Sequence, residues 1–143
     1  CLVGDGPLYD DLDAAIAERG LSNRVFLTGF RDDVPRILAA SDVLVLPSFR
    51  EGTPRVITEA MASGLPVVAT DIAGIPEQVE DCENGYLIPT GDSAALANRL
   101  KRLLADAALR ERMGTHGLER VERFSIPTMV DTLDGLYQEL LAE

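Results

Sequence analysis

Short apolar runs recur along the chain and are separated by longer segments in which apolar positions follow a helical period. The runs are Cys1 to Val3, Val25 to Leu27, Val43 to Leu46, Val67 to Ala69 and Tyr86 to Ile88. Short apolar strands that alternate with helical segments are typical of a parallel sheet covered by helices. The pattern therefore predicts an α/β fold with a parallel sheet flanked by helices.

The segments between the runs carry apolar stripes that would each cover one face of the sheet. The stripes consist of Leu8, Leu12, Ala15 and Ile16, of Val34, Ile37 and Leu38, of Ala60 and Met61, and of Leu96, Leu100, Leu103 and Leu104. After Ala105 the strand pattern stops, and two helical stretches run to about Val121 and from about Pro127 to the end. The sequence shows no repeat or linker, so we expect a single domain over residues 1–143 with extra C-terminal helices.

The start of the chain is unusual for this fold class. It opens directly on a predicted strand, Cys1 to Val3, which is followed at once by Gly4 to Pro7. Parallel strands are joined by crossover connections, so a strand without any lead-in suggests that preceding elements have been removed. We therefore expect the chain to be a fragment.

Composition and charge indicate which partners the chain would bind and where in the cell it would lie. The 143 residues include 13 basic and 24 acidic side chains, which gives a net charge of -11. Binding to nucleic acid requires Lys and Arg to neutralise phosphates, so no nucleic-acid partner is expected and any phosphate site must be local. No apolar run approaches the ~20 residues of a membrane helix, and no secretory signal opens the chain. Cys1 and Cys82 form neither a disulfide framework nor a metal site, so we expect a soluble, cytoplasmic protein.

Ligands of an open parallel sheet bind outside the carboxyl ends of the strands, so the loops after the strands are where chemistry is expected. The first of these loops contains Gly4-Asp5-Gly6, but Tyr9 stands where a dinucleotide-binding fingerprint needs a third glycine. That glycine lets the helix approach the strand closely. The first loop is therefore interpreted as a tight strand-to-helix turn rather than as a NAD-type site.

The loop from Pro47 to Pro54 ends a buried strand and opens a helix, and Pro54 suits the first helical turn. Backbone N–H groups from Gly52 onwards would face the ligand side without partners inside the helix. The helix dipole favours an anion at this end. The loop therefore predicts a phosphate site.

Two carboxylates flank the start of this helix. Glu51 precedes it, and Glu59 lies about five residues into it, roughly 7 to 8 Å along the axis. Because carboxylates accept hydrogen bonds from paired hydroxyls, Glu59 would hold the vicinal diol of a ribose while Glu51 lies near a sugar or diphosphate. The alternative is that Glu59 forms only a surface ion pair with Arg55 and that Glu51 is a charge at a helix end. Spacing alone leaves both interpretations open.

The segment from Glu51 to Ala69, EGTPRVITEAMASGLPVVA, resembles the E-x7-E segment of the GT-B retaining glycosyltransferases, notably family 4, the glycosyl transferases group 1. Further matches to the family, in chain order, are VGDGP at 3–7, FLTG at 26–29, ASDVLVLPS at 40–48, Asp71, Gly74, Pro76, Glu77 and NGYLI at 84–88. The resemblance covers nearly the whole chain. It implies a Rossmann-like sheet that forms the C-terminal, nucleotide-sugar-binding half of a GT-B fold.

The resemblance also implies roles for individual residues. Glu59 would bind the ribose hydroxyls of the donor, and Glu51 would lie beside the transferred sugar as the catalytic candidate. The backbone amides of Gly52 and Thr53 would contact the donor sugar and phosphate. Further donor-binding candidates are Gly4 and, near the base, Phe30, Arg31 and Asp32. No metal is expected, and no cofactor beyond the nucleoside-diphosphate sugar that serves as substrate.

Departures from the family pattern are equally informative. In the family an Arg and a Lys for the diphosphate lie on a first strand and helix, and an N-terminal domain binds the acceptor. We expect both to belong to a longer parent protein and to lie outside this chain. The acceptor, a glycan, a lipid or a small molecule, would bind that domain, and only the parent protein would associate peripherally with a membrane. We therefore expect the isolated chain to be inactive. Cys82 stands where the family often has a glycine, so the turn around it would differ.

Two other functions are compatible with parts of the pattern. A GT-B-like epimerase or phosphorylase would share the architecture, although a phosphorylase needs a cofactor lysine that has no evident place in this sequence. A non-catalytic α/β interaction or signalling module would use the acidic surface instead. The sequence leaves open the donor base and sugar, the acceptor, the oligomeric state and any role for Cys1.

Overall fold

The computed structural model of the chain describes residues 1–142. The strands are β1 Leu44–Leu46, β2 Val67–Thr70 and β3 Gly85–Ile88. The helices are α1 Tyr9–Glu18, α2 Val34–Ala39, α3 Arg55–Ala62, α4 Ile75–Gln78, α5 Ser93–Ala105, α6 Ala107–Val121 and α7 Ile126–Ala142, with a 3₁₀ turn at Glu122–Phe124. The residues group into two compact units, Cys1–Val34 and a second that begins at Pro35. The single domain expected from the sequence stays a prediction.

The second unit is built on a parallel sheet in the order β1-β2-β3. Val68 of the central strand pairs with Val45 on one side and with Tyr86 on the other. Every residue of β2 is buried, as expected for a strand with neighbours at both edges and helices packed against the sheet. The last three apolar runs are therefore strands, and the α/β class with a parallel sheet flanked by helices is confirmed.

The core of this unit joins the sheet to α5 and α6. Its buried residues are Val68, Tyr86, Ile88, Leu103, Leu109 and Met113. Each large apolar side chain removed from water in this way contributes about 1.5 to 3 kcal/mol. Helix α6 also lies close to the end of α3. The approach is so close that a Cβ atom at Gly114 would collide with the carbonyl oxygen of Gly64. The glycine thus permits α6 to pack directly on the α3 segment.

The first two apolar runs are not continuous strands, contrary to the sequence prediction. Leu2 and Leu27 form only an isolated parallel bridge, and Gly4 and Gly29 form an isolated antiparallel one. The side chains of Leu2 and Phe26 are 46% and 55% exposed. A single pair of short segments with exposed apolar side chains buries too little apolar surface to form a regular sheet.

The C-terminal third is helical, as the sequence predicts, with α6 and α7 close to the expected bounds. Helix α7 has no buried residue, and its apolar side chains from Ile126 to Leu141 are exposed. Within residues 1–142, none of the helices combines the length and the apolar character that crossing a membrane requires.

Cys82 occupies the turn between α4 and β3 and has a φ of 71°, in the left-handed region. Its N–H donates to the carbonyl oxygen of Gly85 at 2.8 Å, which holds this conformation in place. A residue with a Cβ atom costs roughly 1 to 2 kcal/mol in this region, whereas glycine does not. A cysteine therefore holds a backbone conformation that favours glycine, and a difference from the turn of the family stays a prediction.

Replacement of Cys82 by glycine should stabilise the chain by about 0.5 to 1 kcal/mol, because relief of the left-handed strain exceeds the entropy that glycine adds to the unfolded state. Urea unfolding measures the difference. Cys82→Ala is the matched control, since it removes the thiol but keeps the Cβ atom and should bring no gain. An equal gain in both variants would assign the effect to the thiol instead of the backbone.

Candidate functional site

The loop between β1 and α3 is attached to the neighbouring strand at the carboxyl edge of the sheet. The buried hydroxyl of Thr70, the last residue of β2, donates to the carbonyl oxygen of Ser48 at 2.8 Å. The Ser48 hydroxyl in turn donates to Oε1 of Glu51 at 2.7 Å. The Glu51 carboxylate is half-buried and is oriented by this bond. The predicted catalytic candidate therefore has a defined place at the strand end.

Helix α4 holds the same loop from the other side. The N–H of Gly74 donates to the carbonyl oxygen of Gly52 at 3.1 Å. A Cβ atom at Gly74 would lie 2.7 Å from that oxygen and 3.0 Å from Oγ1 of Thr53, so no side chain fits. The buried Gln78 side chain adds a bond from Nε2 to the carbonyl oxygen of Pro54 at 3.2 Å. Loop and helix are thus fixed to each other at two backbone carbonyls.

The start of α3 differs by one position from the sequence prediction. Pro54 is the N-cap, with φ -70° and ψ 119°, and the helix begins at Arg55 rather than including Pro54 in its first turn. Its carbonyl oxygen already accepts from Ile57 N–H at 3.2 Å. The N–H groups of Arg55 and Val56 have no acceptor within the helix, because the first turn of any α-helix lacks one. Pro54, which has no N–H, separates them from Gly52 and Thr53, which are both exposed.

Glu59 lies on α3 and forms the ion pair that the alternative interpretation of the sequence requires. Its Oε1 is 3.6 Å from Nη2 of Arg55, and the two side chains are 36% and 91% exposed. An exposed pair of this kind contributes about 0.2 to 0.5 kcal/mol. The contact is too long and too weak to occupy the carboxylate, so Glu59 remains accessible to a ligand hydroxyl.

A cavity of about 230 Å³ opens at the carboxyl ends of all three strands. Pro47, Thr70 and Ile88 line it from the strand ends, and Phe49 and Leu96 lie at its sides. Phe49 is 75% exposed. The position agrees with the general rule that open α/β sheets bind ligands at this edge.

The remaining predicted donor residues belong to the first unit. Gly4 has a φ of 135°, which favours glycine, and its N–H donates to the carbonyl oxygen of Gly29 at 2.9 Å. The turn interpretation of the first loop agrees with this geometry. A cavity of about 370 Å³ with largely apolar walls, including Leu2, Leu8 and Leu12, adjoins the turn.

Arg31 is engaged by a neighbour that the sequence analysis did not single out. Its guanidinium donates to both carboxylate oxygens of Asp33, from Nε at 2.8 Å and from Nη2 at 2.7 Å. These bonds raise the pKa of Arg31 and lower the pKa of Asp33 from their ordinary values. Asp32 and Phe30 are exposed.

The structure therefore brings Glu51, Gly52 and Thr53 together on one loop that leads into the helix of Glu59. Their roles in donor binding stay predictions, as do those of Gly4, Arg31 and Asp32. Ser48, Gly74 and Gln78 complete the site and were not assigned a role from sequence. Residues 1–142 contain no group of three or more His, Cys, Asp or Glu side chains placed to hold a metal ion. The cytoplasmic location stays a prediction.

The chain is similar in sequence to known glycosyltransferases. A family model described as glycosyl transferases group 1 matches residues 1–106. The chain is 34% identical over 143 residues to the N-acetyl-alpha-D-glucosaminyl L-malate synthase of Bacillus anthracis, covering 99% of the chain and 38% of that enzyme. The chain thus spans well under half the length of this relative.

Solved structures show the same fold. HepE from Anabaena in complex with UDP superposes with a TM-score of 0.89 at 34% identity, covering 96% of the chain and 40% of HepE. A second structure of HepE holds UDP-glucose. The C-terminal domain of the glycosyl transferase group 1 family protein LpcC from Francisella tularensis superposes with a TM-score of 0.75 at 31% identity, covering 82% of the chain and 62% of that domain structure.

The ion pair in the first unit gives a pH prediction. Because the pKa of Asp33 is lowered in the folded chain, its contribution to stability is present above its ordinary pKa and is lost as the pH falls through the lowered value. The carboxyl carbon of Asp33, followed by NMR during an acid titration, should have a midpoint below its ordinary pKa. Arg31→Gln should return the midpoint towards that value, while Arg24→Gln should leave it unchanged. Equal shifts in both variants would contradict a specific Arg31–Asp33 pair.

Proposed function

This chain belongs to the family of glycosyl transferases group 1, and we propose that it is the donor-binding part of an enzyme that transfers a sugar from a nucleoside-diphosphate sugar to an acceptor. One observation carries the proposal. Glu51 and Glu59 lie on either side of a loop and helix start whose first N–H groups lack acceptors within the helix, at the carboxyl edge of the sheet. The complexes of HepE with UDP and UDP-glucose support a donor of this chemical class.

Different site residues bind different parts of the donor. The N–H groups of Gly52, Thr53 and the first turn of α3 bind the diphosphate, where the helix dipole favours negative charge. Glu59 accepts hydrogen bonds from the ribose hydroxyls. Glu51, which Ser48 orients, accepts hydrogen bonds from the transferred sugar beside its anomeric carbon.

The reaction proceeds with retention and without a metal ion. The acceptor oxygen bonds to the anomeric carbon on the face from which the diphosphate departs, and a diphosphate oxygen takes the acceptor proton. The N–H groups at the start of α3 stabilise the charge that develops on the leaving group. The configuration of the product made by the full-length enzyme tests retention directly, since an inverted anomeric centre would contradict it.

The isolated chain is inactive under this proposal. The chain spans 38% of the length of the Bacillus anthracis relative. The acceptor binds elsewhere in the complete enzyme and is a glycan, a lipid or a small molecule. The net charge of -11 also opposes a diphosphate, so N–H groups alone give a weak site. Turnover of a nucleoside-diphosphate sugar by the purified 143-residue chain would contradict this part of the proposal.

The role of Glu59 is tested by comparing nucleotides with and without ribose hydroxyls. The chain is titrated by NMR with UDP, GDP and ADP, and the tightest of these is compared with its 2′,3′-dideoxy form. The dideoxy nucleotide should bind about tenfold more weakly, because hydrogen bonds to a charged group are lost. Glu59→Gln should remove most of this preference by weakening the ribose-containing nucleotide alone.

The matched control is Arg55→Gln, which breaks the Arg55–Glu59 pair and leaves the carboxylate in place. This variant should keep the preference for ribose. If Glu59→Gln and wild type discriminate equally between the two nucleotides, Glu59 does not contact the ribose and the ion-pair interpretation stands.

A further inference from the structure

Helix α4 contacts the loop from Pro47 to Pro54 and is itself fixed by Arg120 of α6. The Arg120 guanidinium donates to the carbonyl oxygens of Gln78 at 3.2 Å and of Glu77 at 3.0 Å, and to the Glu80 carboxylate at 2.8 Å. Its side chain is only 20% exposed. Arg120 thus satisfies carbonyls at the C-terminal end of α4, which have no partners within a helix.

A second side chain restrains the same end of α4. Asn84, which is 1% exposed, donates from Nδ2 to the carbonyl oxygen of Gln78 at 3.0 Å. Its Oδ1 accepts from the N–H of Glu80 at 2.7 Å. The backbone of Gln78 is therefore held by two side chains, from α6 and from the turn before β3.

The Gln78 side chain is fully buried but only half satisfied. Its Nε2 bonds to the carbonyl oxygen of Pro54, whereas its Oε1 has no hydrogen-bond partner among residues 1–142. A buried acceptor without a partner costs about 1 to 3 kcal/mol, at least as much as one hydrogen bond contributes. A methionine of similar shape would bury no unpaired acceptor, so loss of the amide need not destabilise the chain.

We propose that Gln78 is a positioning residue that sets the geometry of the loop from Glu51 to Pro54 through the Pro54 carbonyl. Arg120 and Asn84 fix the backbone of Gln78. Its side-chain amide in turn bonds to Pro54, the N-cap of α3, which lies 24 positions earlier in the chain. Gln78 does not touch the donor. Its consequence for donor binding rests on the proposed function, whereas its effect on the loop does not.

The test uses Gln78→Met and two amides that report on the loop carbonyls. Gly74 N–H is bonded to Gly52, and Ile57 N–H is bonded to Pro54. In the variant both should exchange with solvent about fivefold faster or more, since losing a bond of about 1 kcal/mol lets the loop open more often. The affinity for the tightest of UDP, GDP and ADP should fall by about the same factor, while the urea midpoint stays the same or rises.

Asp106→Ala is the control, because Asp106 caps α6 by accepting from Leu109 N–H at 2.9 Å and lies outside the site. It should lower the urea midpoint without changing the nucleotide affinity. Unchanged amide exchange in Gln78→Met, failure of that variant to fold, or an equal loss of affinity in Asp106→Ala would each overturn the inference. So would faster exchange with unaltered affinity. Faster exchange in a chain whose wild type binds none of the nucleotides would support the effect on the loop and contradict the proposed function.

Discussion

The close contact between α4 and the loop after β1 determines the geometry of the candidate site. Gly74 donates its N–H to Gly52, and a Cβ atom at Gly74 would lie 2.7 Å from that carbonyl oxygen. The contact exists because α4 follows β2, the fully buried central strand, while the loop leaves the strand beside it. The position of Glu51 is therefore set by its neighbours in the sheet as much as by its own loop. The eight-residue loop from Pro47 to Pro54 would otherwise lose a large conformational entropy in holding such a geometry.

The negative net charge of the chain explains why the proposed phosphate site relies on backbone N–H groups. With a net charge of -11, the surface repels an anionic ligand on average, so the proposed binding of a diphosphate would depend on local N–H groups and on the dipole of α3. The two carboxylates are then best suited to hydroxyl groups beside the phosphates. Ser48 holds one of them, and the long pair with Arg55 leaves the other accessible. A ligand with hydroxyls at both ends of a diphosphate matches this arrangement of charges.

The sequence predicted those parts of the fold that depend on local pattern. The runs at Val43 to Leu46, Val67 to Ala69 and Tyr86 to Ile88 are strands because each has a paired neighbour in the sheet. The run at Cys1 to Val3 has the same apolar pattern and yet forms only a bridge, since periodicity does not reveal how much apolar surface a run buries. The pairing of Arg31 with Asp33 was equally hidden, because two residues so close in an irregular loop face each other only if the backbone turns suitably.

The roles that the motif gives to Glu51 and Glu59 stay predictions, and the side chains that fix the loop after β1 lie too far away in sequence to be predicted. Thr70 and Gln78 reach the loop across 22 and 24 positions of chain, and only the topology of the sheet brings them together. Donor binding at the start of α3 is tested most directly by mapping the bound nucleotide on the 143-residue chain by amide NMR with saturating UDP, GDP or ADP. We expect the largest shift changes on the N–H groups of Gly52, Thr53, Arg55 and Val56, because these groups would contact the diphosphate. Shift changes confined to residues outside the loop from Pro47 to Pro54 and helix α3 would contradict donor binding at this site.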